Sequence, residues 1–353
     1  MRKIKIALIG FGTVARGLLE ILQRESANLE KQNLKFSLCY ISSRKRGGFF
    51  SKDGFDENRW KWLFDGGDRL FSQVLAESGD KKNEKSMSIE QMLEEPEIDV
   101  VIDLSTTNLT DGQPSLGYMT KALEQKKHVV TANKGPIALS YKKLKEIADR
   151  NKKQLGIEAT VISGTPIFNL YRSGFSANNI ISLSGLLNGT TNFILEQLEE
   201  KKTFEQALKT ARELGYAEEN ADYDLQGWDS LAKMVILSNI LMDANIDLQS
   251  NRIERKGITD IDPSLVEKAL EKGSHYKLLC RAWRNEKNEV NIYVGPTLLE
   301  KNNPLAHVHG ADNALCFESQ YLEKTTIVGI GAGKIATAYG IFNDLLTVAK
   351  YHN

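Results

Sequence analysis

The sequence predicts an α/β protein, with a Rossmann-type doubly wound parallel sheet and a second domain of the α+β type. Apolar strand segments alternate with amphipathic helical segments as far as about residue 132, which is typical of parallel strands joined by helices. The first strand leads directly into a glycine-rich turn and a helix. The chain has 353 residues, which is long enough for two domains with separate hydrophobic cores.

The first half of the chain carries the alternating pattern. Residues 4–9 are a continuous apolar run, and the helically spaced LLEILQRE follows the turn GFGTVARG. Further strands are predicted at 36–41, 98–104 and 128–132, with a helix in LGYMTKALEQKK. Residues 44–88 interrupt the pattern, because they are charged, contain glycine and carry scattered Phe and Trp. We interpret them as an insertion with some helix and an exposed part.

The second half changes character. LKEIADRNKK is predicted to be helical and QLGIEATV to be a strand. From about residue 180, strand-like segments mix with a helical stretch at 191–215 and a helix within 221–237, which indicates the α+β domain. TTIVGIGAGKIATAYGIFNDLLTVAK repeats strand, glycine turn and helix, and we expect it to pack back against the first domain. The predicted domains are therefore 1–134, 135–325 and a returning segment at 326–353.

Composition excludes several classes of protein. Lys+Arg and Asp+Glu balance at 46 each, so neither nucleic acid nor an anionic membrane is indicated as a partner. No apolar run reaches the roughly 18 residues of a membrane span, and the short N-terminal run leads into glycines instead of a cleavage site. The three cysteines are widely spaced and odd in number. We expect a cytoplasmic protein with reduced cysteines.

The first glycine turn predicts a nucleotide site. Gly10, Gly12 and Ala15 form G-x-G-x-x-A between a strand and a helix. Gly10 permits the tight turn, Gly12 lets the backbone approach a pyrophosphate, and a small residue at 15 lets helix and strand pack closely. The helix N-terminus then offers unpaired N–H groups to phosphates. The alternative is a purely structural turn.

The end of the second predicted strand indicates which dinucleotide is bound. NAD-binding sites of this type carry Asp or Glu there, but the sequence reads Ser42-Ser43-Arg44-Lys45-Arg46. Arg44 could receive a 2′-phosphate, so NADP is predicted to be preferred over NAD. The alternative is a solvated basic loop.

Seven motifs, taken together and in order, resemble those of homoserine dehydrogenases. They run from the N-terminus to about residue 350, leave out the 44–88 insertion, and are GFGTV, TANKGPIA, GLLNGTTNFIL, GYAE, DLQGWDSLAK, NPLAHVHGADNAL and GIGAGKIATA. The resemblance implies interconversion of L-homoserine and L-aspartate 4-semialdehyde with NADP or NAD, a step toward threonine, methionine and isoleucine. It also implies a homodimer that pairs through the second domain. We expect a short form without a kinase or C-terminal regulatory domain, and hence weak or absent threonine feedback through such a domain.

The resemblance also assigns roles residue by residue. Lys233 matches the lysine of proton transfer, and Lys134 matches a second lysine near substrate and nicotinamide. The matched substrate contacts are Gly189, Thr190, Gly215, Glu218, Asp224 and Asp229. The matched cofactor contacts are Gly10, Phe11, Gly12, Thr13, Val14, Ser105, Thr106, Lys134 and Gly333, to which the basic turn adds Arg44. A monovalent cation, Na or K, is expected at Glu158 and at the backbone carbonyls of Val161, Ser163 and Thr165.

Lys233 has independent support from its surroundings. It lies among apolar residues of a predicted helix, and Asp229 lies four residues earlier, on the same helix face. Burial lowers the pKa of a lysine and nearby carboxylates raise it, so such a lysine can exchange a proton or stabilise an alkoxide. The alternative is a structural Asp–Lys pair. Lys134 could likewise be a capping lysine in a loop, and Glu158 a strand-edge acid.

Three departures from the family pattern stand out. Ala15 replaces a usual glycine without loss of the packing role, and Lys334 adds charge near the expected cofactor cleft. The loop AEENADYD lacks the usual proline and has Asn220 at an acidic position, so the carboxylate that meets the substrate is less certain.

The spacing of His307 and His309 fits no common zinc site.

Two rival functions remain open at this stage. An aspartate-semialdehyde dehydrogenase would need a nucleophilic cysteine, and Cys39, Cys280 and Cys316 lack reactive-looking surroundings. A non-catalytic NADP-binding sensor would not need the retained lysines and acids.

Overall fold

A computed structural model describes residues 1–77, 83–175 and 177–352. The chain forms two compact units, one made of Met1–Gly164 with Gly333–Asn353 and the other of Thr165–Ala332. Among the described residues, no helix has both the length and the apolar composition of a membrane span.

The first unit is built on a seven-stranded sheet. Its strands are β1 Arg2–Ile9, β2 Leu34–Ser43, β3 Gly47–Ser51, β4 Glu84–Ser86, β5 Val100–Asp103, β6 His128–Thr131 and β7 Leu155–Gly156. The spatial order is β4-β3-β2-β1-β5-β6-β7. Pairing is parallel from β2 through β1, β5 and β6 to β7, and antiparallel for β3 and β4. The predicted doubly wound parallel sheet is confirmed, with two antiparallel strands added at one edge.

Helices cover the sheet of the first unit. They are α1 Thr13–Arg24, α2 Ser26–Lys31, α3 Trp60–Asp65, α4 Phe71–Glu77, α5 Ile89–Glu94, α6 Ser115–Glu124, α7 Lys134–Arg150 and the C-terminal helix Lys334–Tyr351. Apolar side chains of the central strands and of α1 form one buried cluster with the C-terminal helix, including Ile6, Leu8, Leu18, Ile341 and Leu345. This cluster anchors the start of α1, where the nucleotide site was predicted.

The 44–88 insertion is part of the sheet and its core, which the sequence did not predict. Its strands β3 and β4 extend the sheet edge, and Trp60 and Phe71 are buried. Its scattered aromatic residues pack into the core. The prediction was wrong because it followed the charged residues of the segment instead. Part of the expected exposed stretch, residues 78–82, lies outside the described residues.

Two predicted elements after β6 have different bounds. The strand predicted as QLGIEATV is only two residues long, and Glu158–Thr160 is a 3-10 turn. The strand ends because the backbone N–H of Glu158 donates to Asp344 Oδ2 at 2.9 Å instead of to a neighbouring strand. Lys134 is the first residue of α7, with Asn133 as its N-cap, so the possibility of a loop lysine is wrong.

The second unit is a mixed sheet with helices. Its strands are β8 Ile180–Leu186, β9 Ile253–Arg255, β10 His275–Arg284, β11 Val290–Leu299, β12 Asp312–Ser319 and β13 Glu323–Ile330. The order is β13-β12-β8-β10-β11-β9, antiparallel except for β11 and β9. Its helices are α8 Ile167–Gly174, α9 Gly189–Glu199, α10 Phe204–Glu213, α11 Asp222–Leu225, α12 Trp228–Leu241 and α13 Pro263–Glu271. The α+β character agrees with the prediction.

The C-terminal segment divides between the two units. Strand β13 pairs with β12 along its whole length, so the expectation that this strand returns with the helix is wrong. A short hairpin turn between Ser319 and Glu323 joins the two strands, so β13 pairs with the strand that precedes it in the chain. The return to the first unit begins at Gly333 instead of 326. Residues 135–164 also belong to the first unit, because β7 pairs with β6.

Candidate active site

The glycine turn lies where the sheet order reverses. Strand β1 has β2 on one side and β5 on the other, and open α/β sheets bind ligands at the carboxyl ends of such strands. Gly10 has φ +91°, and a Cβ there would lie 2.6 Å from the Leu104 carbonyl group. Gly12 precedes α1, and a Cβ there would meet no atom within 4 Å. The turn is therefore tight at Gly10 and open at Gly12, as an approaching phosphate requires.

Aromatic and basic side chains surround Phe11 of this turn. Phe11 stacks on Phe64 at 6.2 Å and meets Phe71 edge-on at 5.6 Å. The Arg46 guanidinium lies 4.1 Å from the Phe71 ring centre. Burial, followed by the nearby charge of Arg16, lowers the pKa of Arg46. The sequence did not predict this cluster, because Phe64 and Phe71 belong to the insertion. Of the other predicted cofactor contacts here, the first turn of α1 contains Thr13 and Val14.

The basic turn after β2 exposes only some of its charge. Lys45 pairs with Asp68 at 3.1 Å, and both are on the surface. Arg46 is buried and donates to the carbonyls of Leu63 and Arg69, both at 2.9 Å. Arg44 is exposed at the tip of the turn. It is therefore the arginine of this turn that a 2′-phosphate could reach.

A buried carboxylate lies at the carboxyl end of β5. Asp103 is fully buried and accepts the N–H of Ser105 at 2.9 Å. The Asn133 side chain donates to Asp103 at 3.5 Å and to the Ser115 hydroxyl at 3.0 Å. The hydroxyls of Ser105 and Ser115 are 2.7 Å apart. Burial raises the pKa of Asp103, and these hydrogen bonds oppose that effect.

The same network joins two predicted cofactor segments. Asn133 Nδ2 also lies 3.3 and 3.4 Å from the carbonyl oxygens of Ser105 and Thr106, so its two N–H groups are shared among these acceptors. Its side-chain oxygen accepts the N–H of Gly135 at 3.1 Å. It thus fastens the loop after β5 to the start of α7, whose first residue is Lys134. Neither Asp103 nor Asn133 was predicted as a site residue, although Asn133 lies inside the TANK motif.

The residues expected to hold a cation fall in both units. Glu158 is fully buried, and its neighbour Asp344 of the C-terminal helix is also buried. Val161 is buried, and Ser163 has φ +52°, which turns its backbone sharply. Thr165 is the first residue of the second unit. Asp344 was missed, although an acid in the apolar helix IFNDLLTV was a usable signal.

The glycine before the C-terminal helix adopts a conformation that favours glycine. Gly333 has φ +128°, and a Cβ there would meet no atom within 4 Å. Lys334 pairs with Glu20 of α1, so the charge that it adds near the expected cofactor cleft is compensated. A Cβ on Gly17 would lie 2.8 Å from the Lys334 carbonyl, so α1 and the C-terminal helix pack closely.

The second unit holds the predicted lysine in a buried ion pair. Lys233 Nζ lies 2.8 Å from Asp229 Oδ2 and donates to the Leu187 carbonyl at 2.7 Å. Both residues lie on α12 and are 8% exposed. Gly227, with φ +78°, separates α12 from α11 and sets the direction of this helix. The i, i+4 geometry expected from the sequence is therefore present.

Asn188 connects the acids of the site. Its side-chain amide donates to Asp224 at 2.7 Å and to Asp229 at 3.1 Å. Its oxygen accepts the N–H of Thr191 at 2.9 Å and so caps α9. The Thr190 hydroxyl donates to the carbonyl of Tyr216 and lies 3.4 Å from Asp224. Asn188 was quoted within a motif but not predicted as a site residue.

The remaining predicted substrate contacts lie at the edge of this network. A Cβ on Gly189 would lie 2.4 Å from the Ala311 carbonyl, so this helix start packs directly on the 308–311 segment. Gly215, with φ +75°, and Glu218 are exposed between α10 and α11. The structure therefore brings Asp224, Asp229 and Lys233 together through Asn188, and leaves Glu218 on the surface outside their buried hydrogen bonds.

Cysteines and histidines offer no alternative chemistry among the described residues. Cys39, Cys280 and Cys316 are buried, and burial raises the pKa of Cys39 to about 11 and of Cys280 to about 12. His307 contacts the Lys301 carbonyl, and His309 contacts Glu196. No three His, Cys, Asp or Glu side chains in the described part of the chain gather as metal ligands.

Comparison with known proteins gives one consistent result. A family model described as homoserine dehydrogenase matches residues 166–346. A second, described as the NAD-binding domain of homoserine dehydrogenase, matches residues 10–158.

Individual relatives agree with the family models over nearly the whole chain. An NAD(+)-dependent homoserine dehydrogenase from Pseudomonas canavaninivorans is 33% identical over 99% of this chain and 97% of its own. A homoserine dehydrogenase from Methanocaldococcus jannaschii is 34% identical over 97% of this chain and 98% of its own. A hyperthermophilic archaeal homoserine dehydrogenase solved with NADPH superposes with a TM-score of 0.82 at 26% identity, covering 100% of this chain and 99% of that one.

Proposed function

The chain belongs to the homoserine dehydrogenase family, and on that premise we propose how its residues carry out the reaction. The enzyme is a nicotinamide-dependent oxidoreductase that interconverts L-homoserine and L-aspartate 4-semialdehyde. Hydride passes between the nicotinamide and the terminal carbon of the substrate. A proton passes on or off the oxygen attached to that carbon, and that transfer is the task proposed for Lys233.

The single observation that carries this proposal is the hydrogen bonding of Lys233. An ammonium group has three N–H donors. Among the described residues, Leu187 and Asp229 accept two of them. The third donor remains for the oxygen of a substrate, and the other two fix its direction. When the aldehyde is reduced, this donor supplies the proton to the oxygen. When the alcohol is oxidised, the transfer runs in reverse: the neutral amine of Lys233 accepts the hydroxyl proton as hydride leaves the carbon, and the aldehyde forms.

The acids around Asn188 are proposed to bind the amino-acid end of the substrate. Asp224 and Asp229 provide the negative charge that a substrate ammonium requires. Gly189 and Thr190, at the start of α9, provide backbone N–H and hydroxyl groups. Exposed Glu218, with Gly215 in the same segment, is proposed to supply a further carboxylate when the substrate is bound.

The first unit is proposed to hold the cofactor. The pyrophosphate fits the N-terminus of α1 at Gly12, and Ser105, Thr106 and Lys134 are proposed to contact the nicotinamide end. Lys134 is the first residue of α7, and its charge favours a negatively charged group nearby. Gly333 is proposed as a further cofactor contact.

NADP is proposed to be the preferred cofactor because of Arg44. No acid ends β2, and Arg44 is exposed at the turn that follows. Arg44→Ala should weaken NADP binding far more than NAD binding. Lys45→Ala, in the same turn, is the matched control, because it removes only a surface pair with Asp68. Equal weakening of both cofactors by Arg44→Ala would remove Arg44 as the phosphate contact.

A monovalent cation is proposed near Glu158. A buried carboxylate and the sharply turned backbone at Ser163 suit a hard cation that prefers oxygen ligands. Replacing K⁺ and Na⁺ with a large organic cation should lower activity, and Glu158→Gln should abolish the difference between the salts. Equal wild-type activity in all salts would contradict the cation site.

A homodimer is proposed through the sheet of the second unit. Cross-strand pairing puts Arg281 and Tyr293 on one face with Val328, which is 53% exposed. Exposed apolar groups on an open sheet face mark an interaction surface. Sedimentation should give twice the mass of the chain, and Val328→Glu should shift the protein toward monomers. A wild-type monomer at micromolar concentration would contradict the dimer.

The experiment that tests the function is a spectrophotometric assay of purified protein. Formation of reduced nicotinamide is followed with L-homoserine, using NADP and NAD in parallel, and D-homoserine is the control substrate. Turnover that is specific for the L form is expected. No turnover with folded, cofactor-binding protein would favour a non-catalytic NADP-binding sensor.

Thiol alkylation distinguishes a homoserine dehydrogenase from the remaining rival, an aspartate-semialdehyde dehydrogenase. An aspartate-semialdehyde dehydrogenase needs an accessible thiolate, whereas burial keeps Cys39 and Cys280 protonated near neutral pH. Homoserine oxidation should therefore survive iodoacetamide treatment of the native protein at pH 8. Rapid loss of activity that substrate prevents would support a catalytic thiol.

A further inference from the structure

Asp103 is a buried acid with no assigned role in the reaction. It is the last residue of β5, and β1 and β5 flank the point where the sheet order reverses. Ligands of open α/β sheets cross the carboxyl ends of the strands at this point. The loop that follows, with Ser105 and Thr106, is the segment proposed to contact the nicotinamide. Asp103 therefore contacts that segment directly, through the N–H of Ser105.

The partners of Asp103 are all electrically neutral. They are the backbone N–H of Ser105, the side-chain amide of Asn133 and the nearby hydroxyl of Ser115. None of the ion pairs formed among the described residues involves Asp103, although it is fully buried. A buried carboxylate without a counter-charge is costly, and proteins ordinarily supply one. Neutral donors orient this carboxyl group, but burial still raises its pKa, so a positive charge placed beside it would favour its ionised form.

The cofactor itself offers a counter-charge in one of its two redox forms. The oxidised nicotinamide ring carries a positive charge, and the reduced ring is neutral. A fixed negative charge close to the ring favours the oxidised form over the reduced form, because the interaction exists only in that form.

We propose that Asp103 is a positioning residue that both fixes the Ser105–Thr106 loop and supplies the counter-charge of the oxidised nicotinamide ring. This inference rests on the proposed placement of the nicotinamide at that loop. Its consequence is a bias in cofactor affinity toward the oxidised form, which a purely structural hydrogen-bond acceptor would not produce. Because the charge stabilises only the oxidised ring, the bound reduced cofactor becomes a stronger hydride donor, so the bias favours aldehyde reduction on the enzyme. It also weakens the binding of the reduced cofactor relative to the oxidised one.

The test compares dissociation constants of NADP⁺ and NADPH for wild-type protein and Asp103→Asn. The neutral variant keeps an acceptor for the N–H of Ser105 but loses the charge. The ratio of the NADP⁺ constant to the NADPH constant should rise about fivefold or more. Ser115→Ala is the matched control, since it removes a neutral member of the same network. It should change both constants by a similar factor.

Two further measurements keep the test decisive if Asp103→Asn fails to fold. Asp103→Ser is a second neutral variant, whose hydroxyl can still accept the N–H of Ser105, and it should show the same rise in the ratio. The wild-type protein should also bind NADP⁺ more tightly than 2′-phospho-ADP-ribose, which lacks the nicotinamide ring. An unchanged ratio in a folded neutral variant, or equal affinity for these two ligands, would overturn the role of Asp103. Failure of wild-type protein to bind either NADP form would instead contradict the proposed cofactor site.

Discussion

At the scale of single residues, the site of the second unit depends on charges that are buried together. Asp229 and Lys233 are each 8% exposed, and removing one member of a buried pair typically costs about 3–5 kcal/mol because the other charge is left uncompensated. Asn188 links this pair to Asp224. The acids therefore hold their positions before any substrate arrives, which lowers the cost of binding an ammonium group.

Asn188→Ala should damage both stability and substrate binding. It removes the N-cap of α9, which should lower the free energy of unfolding by about 1 kcal/mol, and it frees Asp224 and Asp229 from a shared donor. The KM for L-homoserine should rise at least about tenfold, while the dissociation constant of the cofactor stays unchanged. Steady-state kinetics and urea unfolding measure the two effects.

Thr203→Ala is the matched control for this prediction. Thr203 caps α10 through the N–H of Gln206, and among the described residues its side-chain hydrogen bonds stay within this cap. It should cost similar stability and leave the KM unchanged. A wild-type KM in Asn188→Ala would contradict the role of Asn188 in substrate binding.

In the second unit, sequence reasoning reached Asp224, Asp229 and Lys233 and missed Asn188, which joins them. Asp229 and Lys233 could be predicted because their spacing of four and their apolar neighbours are visible within one short stretch of sequence. Asn188 and Asn133 act through partners distant in the chain, with Asn188 36 residues from Asp224. An asparagine has no charge that marks it as functional. Only the folded structure shows that these two asparagines connect several groups of the site.

At the scale of elements, the turn between β1 and α1 separates two roles of glycine. Gly10 is required by its own backbone, since φ is +91° and a Cβ would overlap the Leu104 carbonyl. Gly12 has an ordinary φ of −103° and open space beside it. The fold therefore needs a glycine at 10, and only an approaching ligand needs one at 12.

Gly12→Ala should leave the fold intact and weaken the cofactor. The melting temperature should stay within about 2 °C of wild type, because the new methyl group meets no protein atom. Binding of NADPH should weaken at least about tenfold, since the methyl group occupies the approach of the pyrophosphate. Calorimetric titration measures the affinity. Wild-type affinity in Gly12→Ala would place the pyrophosphate elsewhere.

Buried His128, the first residue of β6, makes the stability of the fold depend on pH. His128 is 1% exposed, and burial, followed by the charges of Lys153 and His352, lowers its pKa from 6.5 to about 3. Below pH 6.5 the unfolded chain takes up a proton at His128 and the folded chain does not. The resulting loss of stability is absent above pH 6.5 and grows by at most about 1.4 kcal/mol per pH unit as the pH falls toward 3. Urea unfolding of wild type and His128→Gln at pH 7.5 and 5 should show a shallower pH slope for the variant, and equal slopes would contradict the assignment.

The bounds of an element could be predicted where its residues followed a single strand or helix pattern. The prediction failed where contacts with distant parts of the chain set the end of the element. The central strands and α1 follow from continuous apolar runs and helical spacing. QLGIEATV also reads as a strand, but Asp344, from the end of the chain, takes the Glu158 N–H and stops it. Edge strand β3 was missed because the charged residues around it obscured its buried Phe49 and Phe50.

At the scale of the whole molecule, the chain leaves its first unit at Gly164 and returns at Gly333. The second unit is thus inserted between β7 and the C-terminal helix. Repeated glycine turns led the sequence analysis to expect strand and helix to return together, but β13 stays with β12. A sequence pattern identifies the type of an element, whereas the choice between two sheets depends on the neighbouring strands.

The central claim is that Lys233 transfers the proton in homoserine oxidation, and its most direct test is the kcat of Lys233→Met. Lys209→Met is the control, because Lys209 forms an exposed i, i+4 pair with Glu213 on α10 in the same unit. For Lys233→Met, kcat should fall at least about 100-fold while the circular dichroism spectrum and NADPH affinity stay unchanged, and Lys209→Met should retain wild-type rates. A folded Lys233→Met protein that oxidised L-homoserine at the wild-type rate would contradict the account.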